Sequence, residues 1–210
     1  MAQHFLIHPT HPQQHLIERA AEIARQGGVI VYPTDSCYAL GCRVGEQEAV
    51  ERMRAVRRVG QKHPFTLVCR DLSEIARYAR VDNRAYRLLK AATPGSFTFV
   101  LRATREVPRR LQDPRRKTIG LRVPDHPVAQ ALLAALREPL LSTTLILPGD
   151  VLPPNEPAEI RARLEHRVDL IIDAGSCGID STTVIDLTGE TPQLLRMGKG
   201  DPSVFGLMSA

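Results

Sequence analysis

The chemistry-bearing residues of this sequence lie in short polar clusters between apolar runs, and most of the clusters are rich in arginine. The first is Tyr32-Pro33-Thr34-Asp35-Ser36-Cys37-Tyr38-Ala39-Leu40-Gly41-Cys42. An apolar run, Val29 to Tyr32, leads into it and reads as a buried strand, which Pro33 ends because it has no N–H for a ladder bond. Hydroxyls and freed N–H groups at the carboxyl end of such a strand can hold phosphate or carboxylate oxygens. The alternative is an Asx-type turn with Asp35 capping the local backbone. Spacing does not choose between them.

Arg52, Arg54, Arg57, Arg58, Lys62 and His63 form a second cluster. Arg54 and Arg58 are four apart, which puts them on one face of a helix. Arg57 and Arg58 fall at its C-terminal end, where the helix dipole favours cations, and that explains part of the pattern. The third cluster, Arg105 to Lys117, carries Arg109, Arg110, Arg115 and Arg116 and is interrupted by two prolines. It reads as a basic surface loop, for which nucleic-acid phosphates are one partner and plain solvation the alternative. Only 4% of residues are aromatic, so a bound RNA would be read by backbone and helical shape rather than by base stacking.

Ser142-Thr143-Thr144 and Ser181-Thr182-Thr183 add clustered hydroxyls at strand ends, although threonine is also a routine strand former. There is no Walker loop, no G-x-G-x-x-G and no G-x-S-x-G. No Ser-His-Asp or Cys-His arrangement stands out, so no catalytic residue is assigned, and catalysis would rest on positioning and charge neutralisation. The four cysteines, Cys37, Cys42, Cys69 and Cys177, form no C-x-x-C pair and read as free thiols packed like small apolar residues. His4, His8, His11 and His15 have no accompanying carboxylates or thiolates, so no metal site is assigned.

These clusters need a scaffold. Helices are expected over Gln13–Gln26, Glu46–Arg58, Leu72–Tyr78, Arg84–Ala92, Val128–Arg137 and Ile160–Glu165. Strands are expected at Val29–Tyr32, Phe65–Cys69, Phe97–Leu101, Thr118–Val123, Leu140–Leu147, Leu170–Ile172, Thr182–Leu187 and Gln193–Met197. Several strands follow one another directly, which favours a mixed sheet with packed helices over an alternating barrel. The 210 residues suit one α/β domain over 13–200, with 1–12 and 201–210 as terminal extensions. The net charge of +5 is modest, and the basic residues are mostly arginine, which grips phosphate with two parallel bonds. No apolar stretch reaches the ~18 residues of a membrane span and no secretion signal is evident, so the expected location is the cytoplasm, away from membranes.

Taken in order, several segments resemble the YrdC/YciO family. They are Tyr32-Pro33-Thr34-Asp35, Pro94-Gly95-Ser96-Phe97-Thr98, Thr118-Ile119-Gly120-Leu121-Arg122-Val123-Pro124, Leu141-Ser142-Thr143-Thr144, Ser181-Thr182-Thr183-Val184-Ile185-Asp186-Leu187-Thr188 and Leu195-Arg196. Asp35-Ser36, Pro108-Arg109-Arg110 and Arg116-Lys117-Thr118-Ile119-Gly120 are closest to its YciO branch. The resemblance implies a twisted open mixed sheet with a deep, basic concave cleft. It also implies kinship with the synthases that make threonylcarbamoyl-adenylate for tRNA modification. Family members bind ATP with Mg²⁺, threonine and bicarbonate, and some bind double-stranded RNA.

The resemblance makes Thr34, Arg57, Arg122, Thr144, Thr182 and Arg196 the nucleotide- and ligand-binding positions. Arg54, Arg58, Arg109, Arg110, Arg115 and Arg116 are the candidates for contacting tRNA or other duplex RNA. Two positions depart from the synthase pattern. Val59 stands where the synthases carry the arginine of a Lys-x-Arg pair, with Arg57 in place of its lysine, and Ile146 stands where they carry the asparagine of a Ser-x-Asn pair. Each lost charge-assisted bond is worth about 1.5–3 kcal/mol, so full synthase activity is not expected. The remaining alternatives are other nucleotidyl or carbamoyl chemistry in the same cleft and non-catalytic binding of RNA.

Overall fold

Ten strands and six helices follow one another in the computed structural model, which describes residues 1–207. In chain order they are β1 (Gln3–Leu6), α1 (Gln14–Arg25), β2 (Ile30–Tyr32), β3 (Ala39–Arg43), α2 (Gln47–Arg57), β4 (Thr66–Val68), α3 (Leu72–Tyr78) and α4 (Asn83–Ala92). There follow β5 (Phe97–Arg102), β6 (Thr118–Arg122), α5 (Pro127–Leu136), β7 (Leu140–Thr144), α6 (Pro157–Leu164), β8 (Leu170–Asp173), β9 (Thr183–Asp186) and β10 (Gln193–Arg196). All ten strands join one mixed sheet in the order β1-β8-β2-β3-β7-β4-β6-β5-β9-β10. The single-domain α/β fold is therefore the expected one.

Side chains alternate across each strand, so each strand feeds two cores. Ile30, Tyr32, Leu140, Leu170 and Ile172 face a layer made by Ile17, Ala20, Ala21 and Ala24 of α1 and Val128, Ala129, Leu132 and Leu133 of α5. Val31, Leu40, Leu67, Phe99, Leu121, Leu141 and Ile171 face the other way and pack with residues of α2, α3, α4 and α6. Local chemistry sets the ends of these helices. Asp71 and Asp82 cap α3 and α4 by accepting from Glu74 N at 2.9 Å and Ala85 N at 2.7 Å. After α1 the chain turns through Gly27 at φ +84°, a conformation that costs glycine little.

The α1/α5 layer covers only part of its face. Along one row of paired residues, Gly41, Ser142, Thr66, Gly120 and Val100 lie side by side across β3, β7, β4, β6 and β5. Small and polar residues there offer a helix little apolar surface to bury. That part of the sheet stays open and becomes the floor of a cleft.

Three details depart from the sequence reading. Residues 1–12 carry β1, which pairs in parallel with β8. The segment Ala39–Arg43 after the Thr34 turn is a strand in its own right, between β2 and β7. The strand expected over Leu140–Leu147 stops at Thr144, which leaves Ile146 in a loop beside the cleft. Of the C-terminal segment, Phe205 packs edge-on against Phe97 and Phe99, and residues 208–210 lie outside the described residues.

Candidate functional site

The open part of the sheet forms a cavity of about 590 Å³, within the range of small-molecule sites. Thr34, Arg57, Arg122, Thr144, Thr182 and Arg196, scattered over more than 160 positions of sequence, all line it. So do Arg54, Arg109, Arg110 and Arg116, whereas Arg58 and Arg115 are exposed outside it. Among the lining side chains eight are cationic and one, Asp113, is a carboxylate. The balance favours an anion.

Where the chain leaves β2 it folds the Thr34 turn into the lining. The Thr34 hydroxyl donates to Cys37 O at 2.7 Å and accepts from the N–H groups of Ser36 and Cys37 at 3.2 and 3.3 Å. Its hydrogen bonds therefore shape the turn itself. The local cap is Thr34, and Asp35 does a different job from the Asx role weighed above. Asp35 Oδ1 accepts from Arg122 Nη2 at 2.5 Å and its Oδ2 accepts from Ser96 Oγ at 2.6 Å. Arg122 Nη1 also donates to Ser36 Oγ at 3.1 Å. Arg122 thus stands in the cleft already neutralised, with its buried Nε unpartnered.

Two further guanidiniums of the lining are held differently. Arg57, from the last turn of α2, donates through Nε to Ile146 O at 3.3 Å, and its Nη1 bonds Thr143 Oγ1 and lies 2.8 Å from His63 Nε2. Arg196, at the end of β10, donates from Nη2 to Thr182 O at 2.8 Å. The Thr182 hydroxyl in turn bonds Thr98 Oγ1 at 2.8 Å. Among the described residues neither Arg57 nor Arg196 has a carboxylate partner. Burial, and then the charge of Arg196, push the Arg57 guanidinium below its ordinary value, and burial does the same to Arg196. His63 is pushed down to about 4, by burial first and then by Arg57 and Arg54, so near neutral pH its Nε2 is an acceptor.

Some assignments change. Arg54 and Arg58 do not share a helical face. The helix ends at Arg57, Arg58 takes a left-handed cap conformation at φ 51° and points to solvent, and Arg54 is buried. Arg54 donates to Gly60 O at 2.5 Å and stacks over the Phe65 ring at 4.8 Å, so it holds the loop after α2 and is not free to meet RNA. The Arg105–Lys117 segment is a wall of the cleft as well as a surface loop. Arg116 is tied to Asp186 at 2.6 Å and Arg110 donates to Gly45 O at 2.6 Å, which leaves Arg105, Arg109, Arg115 and Lys117 as its exposed cations with no side-chain bond among the described residues. Cys37 lines the cleft, but burial raises its thiol, so it is no ready nucleophile.

His63, Thr143, Thr98 and Gly120 belong to the site although none was proposed as a ligand position. The signals for them were the arginine-rich cluster that ends in His63, the Ser142-Thr143-Thr144 run, the Pro94–Thr98 segment and the alternation of Gly120 with Arg122 along one strand. No group of three or more His, Cys, Asp or Glu residues that could hold a metal ion occurs among the described residues, and no helix there is long and apolar enough to cross a membrane.

Comparison with known proteins fits this geometry. The family model Sua5_yciO_yrdC, described as telomere recombination, matches residues 22–198. The YciO protein of Escherichia coli K12 is 57% identical over 205 residues, covering 98% of this chain and all of that one, and its crystal structure superimposes with a TM-score of 0.94. A threonylcarbamoyl-AMP synthase of Halorhodospira halophila is 32% identical over 170 residues, covering 80% of this chain and 88% of its own. The structure of P. abyssi Sua5 complexed with L-threonine is 26% identical with a TM-score of 0.85, this chain spanning 57% of it. The chain belongs to the Sua5/YciO/YrdC family and is related to its threonylcarbamoyl-AMP synthases.

Proposed function

We propose that the cleft binds an adenylate-type anion, ATP or an acyl- or carbamoyl-adenylate, with phosphate oxygens between Arg57 and Arg196. One observation carries the reading: two guanidiniums, Arg57 half-buried and Arg196 exposed, line one cavity and lack any carboxylate partner among the described residues. Holding such charges side by side is unfavourable, and an anion between them relieves it. The hydroxyls of Thr144, Thr98 and Thr182 supply neutral contacts for the rest of the ligand. Kinship with the synthases supports a nucleotide over other anions.

A metal site of the protein's own does not fit, since Asp113 is the one carboxylate on the lining. Mg²⁺ would arrive on the nucleotide's phosphates and neutralise part of their charge.

Formation of threonylcarbamoyl-adenylate is weak or absent on this reading. Ile146 presents an aliphatic side chain to the cleft where an amide would donate and accept, and Val59, which is not on the lining, brings no charge. The test is pyrophosphate release from ATP with Mg²⁺, threonine and bicarbonate, each omitted in turn. Release no greater than a blank, with ATP still bound, is the expected result. Robust release needing all four components would show that the two departures do not disable the chemistry.

A second reading, binding of tRNA or other duplex RNA beside the cleft, draws on exposed Arg58, Arg109 and Arg115. It predicts an affinity for duplex RNA that falls steeply with salt. A flat salt response, or no binding at all, would sink it.

A further inference from the structure

His63 occupies an unusual position for a titratable group. Its Nε2 lies 2.8 Å from Arg57 Nη1 and 3.0 Å from Thr143 Oγ1, and its ring stands edge-on to Phe65 at 5.5 Å. A guanidinium can only donate, so Nε2 accepts and the ring proton sits on Nδ1. The Thr143 hydroxyl completes a triangle, accepting from Arg57 while donating to the imidazole. Arg57 has three anchors, Ile146 O, Thr143 and His63, and of these only the histidine can take up a proton in mildly acid solution.

The charged groups around the ring are all positive. Arg54 and Arg57 face it from α2, Lys62 precedes it in the chain, and Arg196 of β10 acts on Arg57 from across the cleft. The partner from β7 is the uncharged Thr143, and Phe65 offers only its ring. An added proton would therefore meet cations and no carboxylate. Burial first, and then these cations, hold the imidazole down to about 4. An anion lodged at Arg57 and Arg196 reverses the local balance, and an opposite charge within about 4–6 Å favours a protonated imidazole.

We propose that His63 is the positioning residue for Arg57, and that an anion entering the gap between Arg57 and Arg196 brings a proton with it, taken from solvent onto His63 Nε2. The inference rests on the anion-binding reading given above. Once protonated, Nε2 gives up its bond from Arg57 and becomes a donor to Thr143 or to the anion. Binding tightens as pH falls below the ordinary imidazole range, because the bound state takes up the proton first.

Sulfate is the probe, since it does not titrate between pH 5 and 7 and does not mimic a base or an amino acid. Three proteins are titrated at constant ionic strength: wild type, His63→Gln, whose side-chain oxygen can still accept from Arg57, and His63→Leu, which cannot. Wild type is expected to bind sulfate about two- to ten-fold more tightly at pH 5 than at pH 7, and its His63 proton resonance to titrate about one pH unit or more higher with sulfate bound. His63→Gln keeps the wild-type affinity at pH 7 and loses the pH dependence. His63→Leu loses both. Sulfate binding with an unmoved His63 resonance, or equal affinity in all three proteins, overturns the inference and leaves the anion site standing. No sulfate binding by any of them overturns the site and the inference together.

Discussion

Asp35 and Arg122 lie end to end at the base of the cleft, Oδ1 to Nη2 2.5 Å, with side chains 9% and 8% exposed. The pair joins the turn after β2 to the last residue of β6, so it fixes one wall of the cleft against its floor. Removing one partner of a buried pair leaves the other charge uncompensated, at a cost of about 3–5 kcal/mol. Asp35→Ala is expected to lose stability of that order in urea denaturation. A loss under about 1 kcal/mol would mean that water screens the pair.

Lowering the pH should destabilise the protein through His63. Its folded-state value, about 4, lies below the ordinary 6.5, so the unfolded chain takes up the proton first. The contribution is complete above about pH 6.5 and is lost as pH falls from there towards 4. Denaturation midpoints of wild type should fall more steeply across that window than those of His63→Gln. Parallel curves would contradict the assignment.

The four thiols should be inert in the folded protein. Burial pushes Cys42 and Cys177 up to about 12 and raises Cys37 and Cys69. A disulfide reagent at pH 8 is expected to label none of them within minutes and all four in urea. Fast labelling of one thiol would mark a reactive site in or beside the cleft.

Arg54 and the exposed arginines should separate stability from RNA contact. Arg54→Ala loses the Phe65 stack and the bond to Gly60 O, and should cost about 1–3 kcal/mol in unfolding experiments. If duplex RNA binds, Arg109→Ala and Arg115→Ala should each lower the salt slope by about one, with stability unchanged. The opposite pattern would return Arg54 to the RNA surface.

What the sequence revealed follows from which forces act locally. The helices and most strands were legible because apolar residues repeat at 3.6 or 2 and Gly27, Pro33 and Pro124 punctuate them. β1 was not: Gln3-His4-Phe5-Leu6 is four residues long, and its partner β8 lies over 160 residues away. β3 hid inside a motif read as a turn, because Ala39-Leu40-Gly41-Cys42 has little β-branching. The six ligand positions reached one cavity through the resemblance, since spacing alone could not bring Thr34 and Arg196 into one site. Burial of Arg54 was invisible because its aromatic partner, Phe65, belongs to the chain beyond the helix.

The cleft floor gives a steric test. A Cβ on Gly120 would meet Thr66 Oγ1 at 3.1 Å and Thr98 Cγ2 at 3.2 Å. Gly120→Val should narrow the cleft and weaken nucleotide binding, at a cost of about 1–3 kcal/mol in stability from overpacking. Nucleotide affinity equal to wild type in the folded variant would place the ligand elsewhere.

The most direct test is calorimetric titration of ATP with Mg²⁺ into wild type, Arg57→Met and Arg196→Met. Wild type is expected to bind saturably and each variant to lose about ten-fold or more in affinity, as fits a charge-assisted bond worth about 1.5–3 kcal/mol. Equal affinity in all three proteins, each shown to be folded, would contradict the proposed anion site.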